Sequence, residues 1–318
     1  LVHFPVIVLY LSEPFMGTIL KISDSEELVA IFVLIFILSV VLHKLVESRK
    51  FNIDIWKFSA TSSLFIIFVA ISGVWIKNIS SSEQEQKIFN AAKDRSSYRC
   101  GKLIRIINRA SLTCNLSKGI IDTENNIMLV GNSHADSIKT IFTRVASENG
   151  LMVYFFAKNN PLMLGGLSSG AIVSEAKSKD VKNIVVHFSS AGITASRLKE
   201  LVDLADKNDI EVTFLDPVPI WKTHIPKIMY RKIKGFDDDE SKTKKEYLAE
   251  NSEFFNEIGV ISNGNFKRVP VVDYFCTPSC IYKTKDGTPL YFDRGHLTLT
   301  GSLVLEEAII EAVIGGRA

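Results

Sequence analysis

The sequence has no phosphate-binding loop, no dinucleotide fingerprint and no internal repeat. It lacks a dominant charge: 37 Lys and Arg stand against 35 Asp and Glu, and the net charge of +2 gives no argument for a nucleic-acid partner. No His/Cys/Asp cluster has metal-ligating spacing, and His187 and His224 read as structural residues rather than ligands. The basic start, apolar core and small-residue cleavage site of a secretory signal are missing. Cysteine is scarce, with four in 318 residues. They fall in two local pairs, Cys100 with Cys114 and Cys276 with Cys280, and neither pair has the C-x-x-C spacing of a zinc knuckle or a thioredoxin-type site. In an oxidising compartment local pairing is the simplest of the three connectivities, and closing a loop of about 15 residues would contribute roughly 3 kcal/mol. Four buried thiols are the alternative.

What the chain does have is apolar length at its start. Mean hydropathy is +0.18, high for a wholly soluble protein, and most of the excess lies in the first 80 residues. Three apolar stretches are visible, over residues 1–20, 28–46 and 58–76. The first is interrupted by Glu13 and Pro14, where the charge reads as a helix end. The other two approach the roughly 20 residues needed to cross a bilayer core. Lys44, Arg49, Lys50 and Lys57 lie between them, while the loop before the second carries Asp24, Glu26 and Glu27. The positive-inside rule therefore puts residues 47–57 in the cytoplasm and everything after Lys77 outside. Trp56 and Trp75 would sit at the inner and outer interfaces. An outside location agrees with paired cysteines. The first residue is Leu1, not Met, and the chain reads as the C-terminal part of a longer protein. Three regions are expected: membrane helices over 1–79, a linker and cysteine-bearing preamble over 80–122, and a globular domain over 123–318.

Within the last region, short apolar runs alternate with amphipathic ones. Strands are expected at 127–130, 152–157, 183–188 and 212–215, and helices at 137–148, 172–179, 195–207 and 299–314. The preamble over 87–122 reads as irregular or helical, and the charged stretch 221–262 as a solvated helical excursion. This alternation implies an α/β fold with a parallel sheet covered on both faces. In such sheets, sites lie at the carboxyl ends of the strands. Ser133 stands at the first such end, in Gly131-Asn132-Ser133-His134-Ala135. Some 160 residues downstream come Asp293 and His296, in Asp293-Arg294-Gly295-His296. A Ser, a His and an Asp are the parts of a nucleophilic triad. The alternatives for each are ordinary: Ser133 or Asp293 as helix caps, His296 as a surface histidine.

The first motif is not the G-x-S-x-G elbow, because residue 135 is alanine. It resembles block I of the SGNH (GDSL-like) hydrolases, and the second motif resembles that family's terminal D-x-x-H block. Further residues resemble SGNH domains fused to membrane acyltransferases of the acyltransferase-3 family. These are Leu215-Asp216-Pro217-Val218-Pro219, the Cys276/Cys280 pair, and Gly287-Thr288-Pro289-Leu290-Tyr291-Phe292-Asp293. His3-Phe4-Pro5-Val6 and Leu42-His43-Lys44-Leu45-Val46-Glu47-Ser48 resemble the last helices of that membrane domain.

The resemblance implies an SGNH-like three-layer sandwich preceded by transmembrane helices, with the globular part on the periplasmic side of a bacterial inner membrane. It implies transfer of an acyl group, usually acetyl, to a surface glycan such as lipopolysaccharide O-antigen or peptidoglycan. No cofactor would be bound here; the donor, acetyl-CoA, would be used by the membrane domain upstream. Ser133 would be the nucleophile, His296 the base and Asp293 its orienting partner, with the Ser133 N–H as one oxyanion donor. The family's Gly and Asn oxyanion donors have no clear counterparts, since Val185-Val186-His187-Phe188-Ser189-Ser190 contains no Gly-x-Asn-Asp. Asn132 and Asn160 (or Asn159) are the candidates for oxyanion or substrate contact. An extracytoplasmic O-acetyl esterase and a non-catalytic glycan-binding module are the competing functions.

Overall fold

A computed structural model describes residues 7, 25–44, 81–96, 112–117, 125–156, 161–163, 165–236 and 240–315. The chain forms two compact units, Leu1–Phe89 and Asn90–Ala318. In the first, helix α1 (Ser25–Leu42) is apolar on every side, with Val29, Phe32 and Phe36 exposed. Its 18 residues open with Ser-Glu-Glu, so the uncharged part from Leu28 measures only about 22 Å at 1.5 Å per residue, against a bilayer core of roughly 30 Å. Among the described residues no helix is long and apolar enough to cross a membrane. The expected span over 58–76, the apolar stretch 1–20 apart from Ile7, and the basic loop 47–57 lie outside the described residues. The expected linker instead carries a helix, α2 (Glu83–Asn90). Ser82 caps it: the Ser82 Oγ accepts from the Glu85 N–H, and the Glu85 carboxylate accepts from the Ser82 N–H.

The second unit is built on a six-stranded sheet of order β1-β3-β2-β4-β5-β6. The strands are β1 (Thr113–Asn115), β2 (Asn126–Gly131), β3 (Met152–Phe156), β4 (Val181–His187), β5 (Glu211–Leu215) and β6 (Phe266–Val269). All pairings are parallel except β1 on β3. Met128, Leu129 and Val130 of β2, and Ile184, Val185 and Val186 of β4, are wholly buried. Continuous apolar runs of this kind are what a sheet covered on both faces requires. The chain leaves β2 through α3 (Ser133–Glu148) to reach β3, then returns through α4 (Ser169–Ser178) to β4 on the other side of β2. With right-handed crossovers those two helices cover opposite faces. Accordingly α4 packs on α5 (Ala195–Asp206), while α3 packs on the closing helices α10 (Leu299–Leu303) and α11 (Glu306–Ile314).

Two strands went unread in the sequence. β1 falls in the stretch expected to be irregular or helical, and β6 follows the charged excursion. Both are short edge strands, and β6, Phe-Lys-Arg-Val, is half exposed over three of its four residues, so neither carries the apolar signature of the interior strands. The excursion is helical, with α6 (Ile225–Ile233), α7 (Lys244–Glu250) and α8 (Ser252–Gly259), but it is not merely solvated. Ile225, Ile228, Tyr247 and Ile258 are buried, and the Tyr247 hydroxyl donates to the Pro217 carbonyl at 2.7 Å. The expected single closing helix is broken at Val304 and Leu305, whose N–H groups bond three residues back, to Gly301 and Ser302, tightening the turn between α10 and α11. A short helix α9 (Val272–Phe275) precedes the Cys276–Cys280 disulfide. Cys114 is disulfide-bonded; Cys100, its expected partner, lies outside the described residues.

The register fixes where loops emerge. Gly131 pairs with His187, His187 with Leu215, and Leu215 with Val269, so the carboxyl ends of four strands align. Gly131 has no room for a side chain: a Cβ there would lie 1.9 Å from the His187 carbonyl oxygen and 2.5 Å from the Ala135 Cβ. Gly131→Ala should therefore lower the unfolding free energy by about 2–3 kcal/mol. Urea unfolding of wild type and variant checks this, and an unchanged midpoint would contradict it.

Candidate active site

Asn132 follows β2 and caps α3. Its Oδ1 accepts from the His134 N–H at 3.0 Å, and its Nδ2 donates to the Ser189 Oγ at 3.2 Å. The side chain thus ties the turn after β2 to the turn after β4, and it packs against Gly192, where a Cβ would come within 2.7 Å of the Nδ2. This occupies the amide expected to meet substrate or oxyanion, leaving one of its N–H bonds. Ser133 follows as the first residue of α3 and is exposed. At that position its own N–H has no carbonyl one turn earlier to bond, and the positive end of the helix lies beside its hydroxyl. Asn160 lies outside the described residues.

Asp293 and His296 come from a tight hairpin. Tyr291 bridges Leu297, the Phe292 N–H donates to the His296 carbonyl at 3.0 Å, and the Thr298 N–H donates to Leu290 at 3.0 Å. Inside the turn the Asp293 Oδ1 accepts from the N–H groups of Gly295 and His296, both at 2.8 Å. Its Oδ2 lies 2.6 Å from the His296 Nδ1. Burial opposes ionisation of this carboxyl. The bonds from the imidazole and the two backbone N–H groups together outweigh it and hold the pKa at about 2. A carboxylate so placed keeps the proton of a neutral imidazole on Nδ1 and leaves Nε2 as the basic nitrogen. That Nε2 lies 2.7 Å from the Ser133 Oγ, joining residues 163 apart in sequence. A hydroxyl in this position can pass its proton to the imidazole as it attacks an electrophilic carbon.

Three supports of the hairpin had no sequence signal. The Trp221 N–H donates to the Arg294 carbonyl at 2.8 Å, and the Ile225 N–H to the Asp293 carbonyl at 3.2 Å, so the loop leaving β5 braces the turn. On the far side Asp94 accepts from the Thr300 N–H and hydroxyl, and its carbonyl accepts from Leu299. The backbone bonds leave no residue preference to read, and the Asp94–Thr300 bond joins residues 206 apart. Phe292 stacks on His296, with ring centroids 5.4 Å apart and 14° between planes.

Two further histidines lie behind the site. His134 is buried, with its ring 4.7 Å from that of His296 and 6.4 Å from that of His187. Burial, and then the nearby His187 and His296, lower its pKa to about 3. His187 is fully buried, its Nδ1 3.2 Å from the Leu215 carbonyl. Burial lowers its pKa to about 4 against the opposing pull of the backbone. Both are neutral in the folded protein near pH 7, so cationic imidazoles do not crowd the base.

Both values lie below the ordinary 6.5, so the unfolded chain binds more protons than the folded one as pH falls from about 6.5 toward 4. The stability they permit is complete above 6.5. It should decline below that by up to about 1.4 kcal/mol per pH unit for each histidine. Asp293 adds its own loss only between 3.8 and about 2. Denaturation measured at successive pH values should show this slope, shallower by one proton in His134→Gln; equal slopes would refute the assignment.

A family model described as an SGNH domain fused to AT3 domains matches residues 99–311, about two thirds of the chain. No curated protein matches significantly. Among solved structures, the periplasmic domain of a lipopolysaccharide acetyltransferase from Salmonella ser. Paratyphi A is similar, with a TM-score of 0.49 and 15% identity. The match covers 75% of this chain and 98% of that one.

Proposed function

We propose, for a chain that belongs to the family of SGNH domains fused to AT3 domains, that it transfers an acyl group, most simply acetyl, to a hydroxyl of a cell-surface glycan through an acyl-serine. One observation carries this reading: the Asp293–His296–Ser133 relay, with the serine exposed at a helix start. The Ser133 Oγ attacks the acyl carbonyl and the His296 Nε2 takes its proton. Asp293 holds the imidazole and stabilises its charge. The tetrahedral oxyanion lies toward the Ser133 N–H and the positive end of α3, where each such donor is worth about 3 kcal/mol. His296 then returns the proton to the leaving group, and an acyl-serine ester remains. A sugar hydroxyl enters, loses its proton to His296 and attacks the ester. The acyl group leaves on the glycan, and the proton goes back to Ser133.

The family's fusion to AT3 domains fits a membrane-embedded partner domain that supplies the acyl group from acetyl-CoA, with this domain on the outer, periplasmic face. The apolar circumference of α1 and the three apolar stretches of the sequence support such a tether. In this arrangement residues 1–79 belong to the membrane part, 80–122 link it outward and 123–318 carry the chemistry.

The test compares ester-linked acetate on purified surface glycans from cells with wild type and Ser133→Ala at matched expression. Loss of acetate in the variant is expected. In purified protein the transfer rate should fall at least ~1,000-fold. A rise in acetate would assign the same triad to hydrolysis, with water as acceptor. Unchanged acetate would exclude both catalytic readings for that glycan and favour a binding module.

A further inference from the structure

We propose that Arg95 and Arg294 form an anion-recognition site beside the Ser133–His296 pair. It takes a carboxylate or phosphate group carried by the acceptor glycan, and this inference rests on the acyl-transfer reading for the role of its ligand. Arg95 is exposed, with its guanidinium carbon 5.5 Å from the centroid of the Phe292 ring. Phe292 in turn stacks on His296. A guanidinium thus stands one ring away from the base. Seated over an aromatic face, it keeps N–H donors at its edge for a planar, two-oxygen anion.

Its position is fixed rather than accidental. The neighbouring Asp94 is bonded to Leu299 and Thr300 at the start of α10, just beyond His296, and the Arg95 N–H donates to the Lys93 carbonyl at 2.9 Å. Arg294 lies inside the catalytic turn, exposed, with its carbonyl held by the Trp221 N–H.

Neither arginine has an ion pair among the described residues, and the acids around them are committed elsewhere. Asp293 serves His296 and two backbone N–H groups, and Asp94 serves Thr300. Arg95 over Phe292 and Arg294 in the same turn as Asp293 and His296 thus offer two guanidinium groups with no ion pair among the described residues, in a chain whose overall charge is close to balanced. A charged substituent adds a stronger, bidentate handle to the hydroxyls that every sugar offers. A uronate carboxylate or a phosphate substituent on the glycan would fix its register against Ser133.

Binding is measured on the full-length Ser133→Ala protein, so the result does not depend on turnover. Calorimetry compares an oligogalacturonate with a neutral galacto-oligosaccharide of equal length at low and high salt. The charged sugar should bind tighter, the advantage should shrink with salt, and the paired change Arg95→Gln with Arg294→Gln should weaken it by roughly tenfold. Arg95→Lys with Arg294→Lys should keep part of it, which separates charge from lost folding. Equal binding of both sugars, or a preference untouched by the glutamine pair, overturns the proposal. Binding of coenzyme A with none of the oligogalacturonate overturns the assignment to the acceptor. Failure of the acyl-serine reading shows elsewhere, as hydrolysis of 4-nitrophenyl acetate undiminished in Ser133→Ala.

Discussion

The parallel ladder between β2 and β4 is the constraint on which the site depends. Its last pairing, Gly131 with His187, brings two backbones so close that no side chain fits at 131. From that pairing the chain must turn at Asn132 and enter α3 at once, which leaves Ser133 standing clear of the sheet. The same ladder aligns the loops after β4 and β5 with this turn. One supplies Ser189 to hold Asn132, and the other supplies Trp221 and Ile225 to hold the Asp-x-x-His hairpin. Moving β2 by one residue would invert its side chains and take the Ser133 hydroxyl out of reach of His296.

Charge around the site is arranged so that one group can change it usefully. Asp293 is fixed as an anion by three donors although it is partly buried. His134 and His187 are kept neutral by the apolar core against which they pack. His296 lies between these two environments, touching the anion through one nitrogen and the serine hydroxyl through the other. An imidazole placed in this way becomes an imidazolium beside an anion when it takes a proton, and no neighbouring cationic imidazole opposes it.

Much of this was legible in the sequence, for physical reasons that differ by element. The interior strands announce themselves because burial on both faces demands unbroken apolar runs, as in Ile127-Met128-Leu129-Val130. Ser133 and His296 were readable because a strand-to-helix serine and a D-x-x-H before a closing helix are local patterns. The edge strands β1 and β6 were not, since each has one neighbour, β1 is only three residues long and β6 is half exposed. The clamp between Asn132 and Ser189 joins residues 57 apart, and that between Asp94 and Thr300 joins residues 206 apart. Neither distance leaves a trace in spacing or composition.

The relay is assembled from parts of very different range. Asp293 and His296 sit in one turn and can find each other as soon as that hairpin closes. Ser133 reaches them only across 163 residues, after the sheet has been laid down and α10 has docked on α3. The Asp293–His296 pair is therefore a local product of folding, and the arrival of the Ser133 hydroxyl a global one. A chain with a correct hairpin but an unfinished sheet carries an imidazole with nothing to activate. Until the sheet is complete the Ser133 hydroxyl and the His296 imidazole stay apart, so their 2.7 Å contact appears only together with the finished tertiary structure and serves as its own certificate of folding.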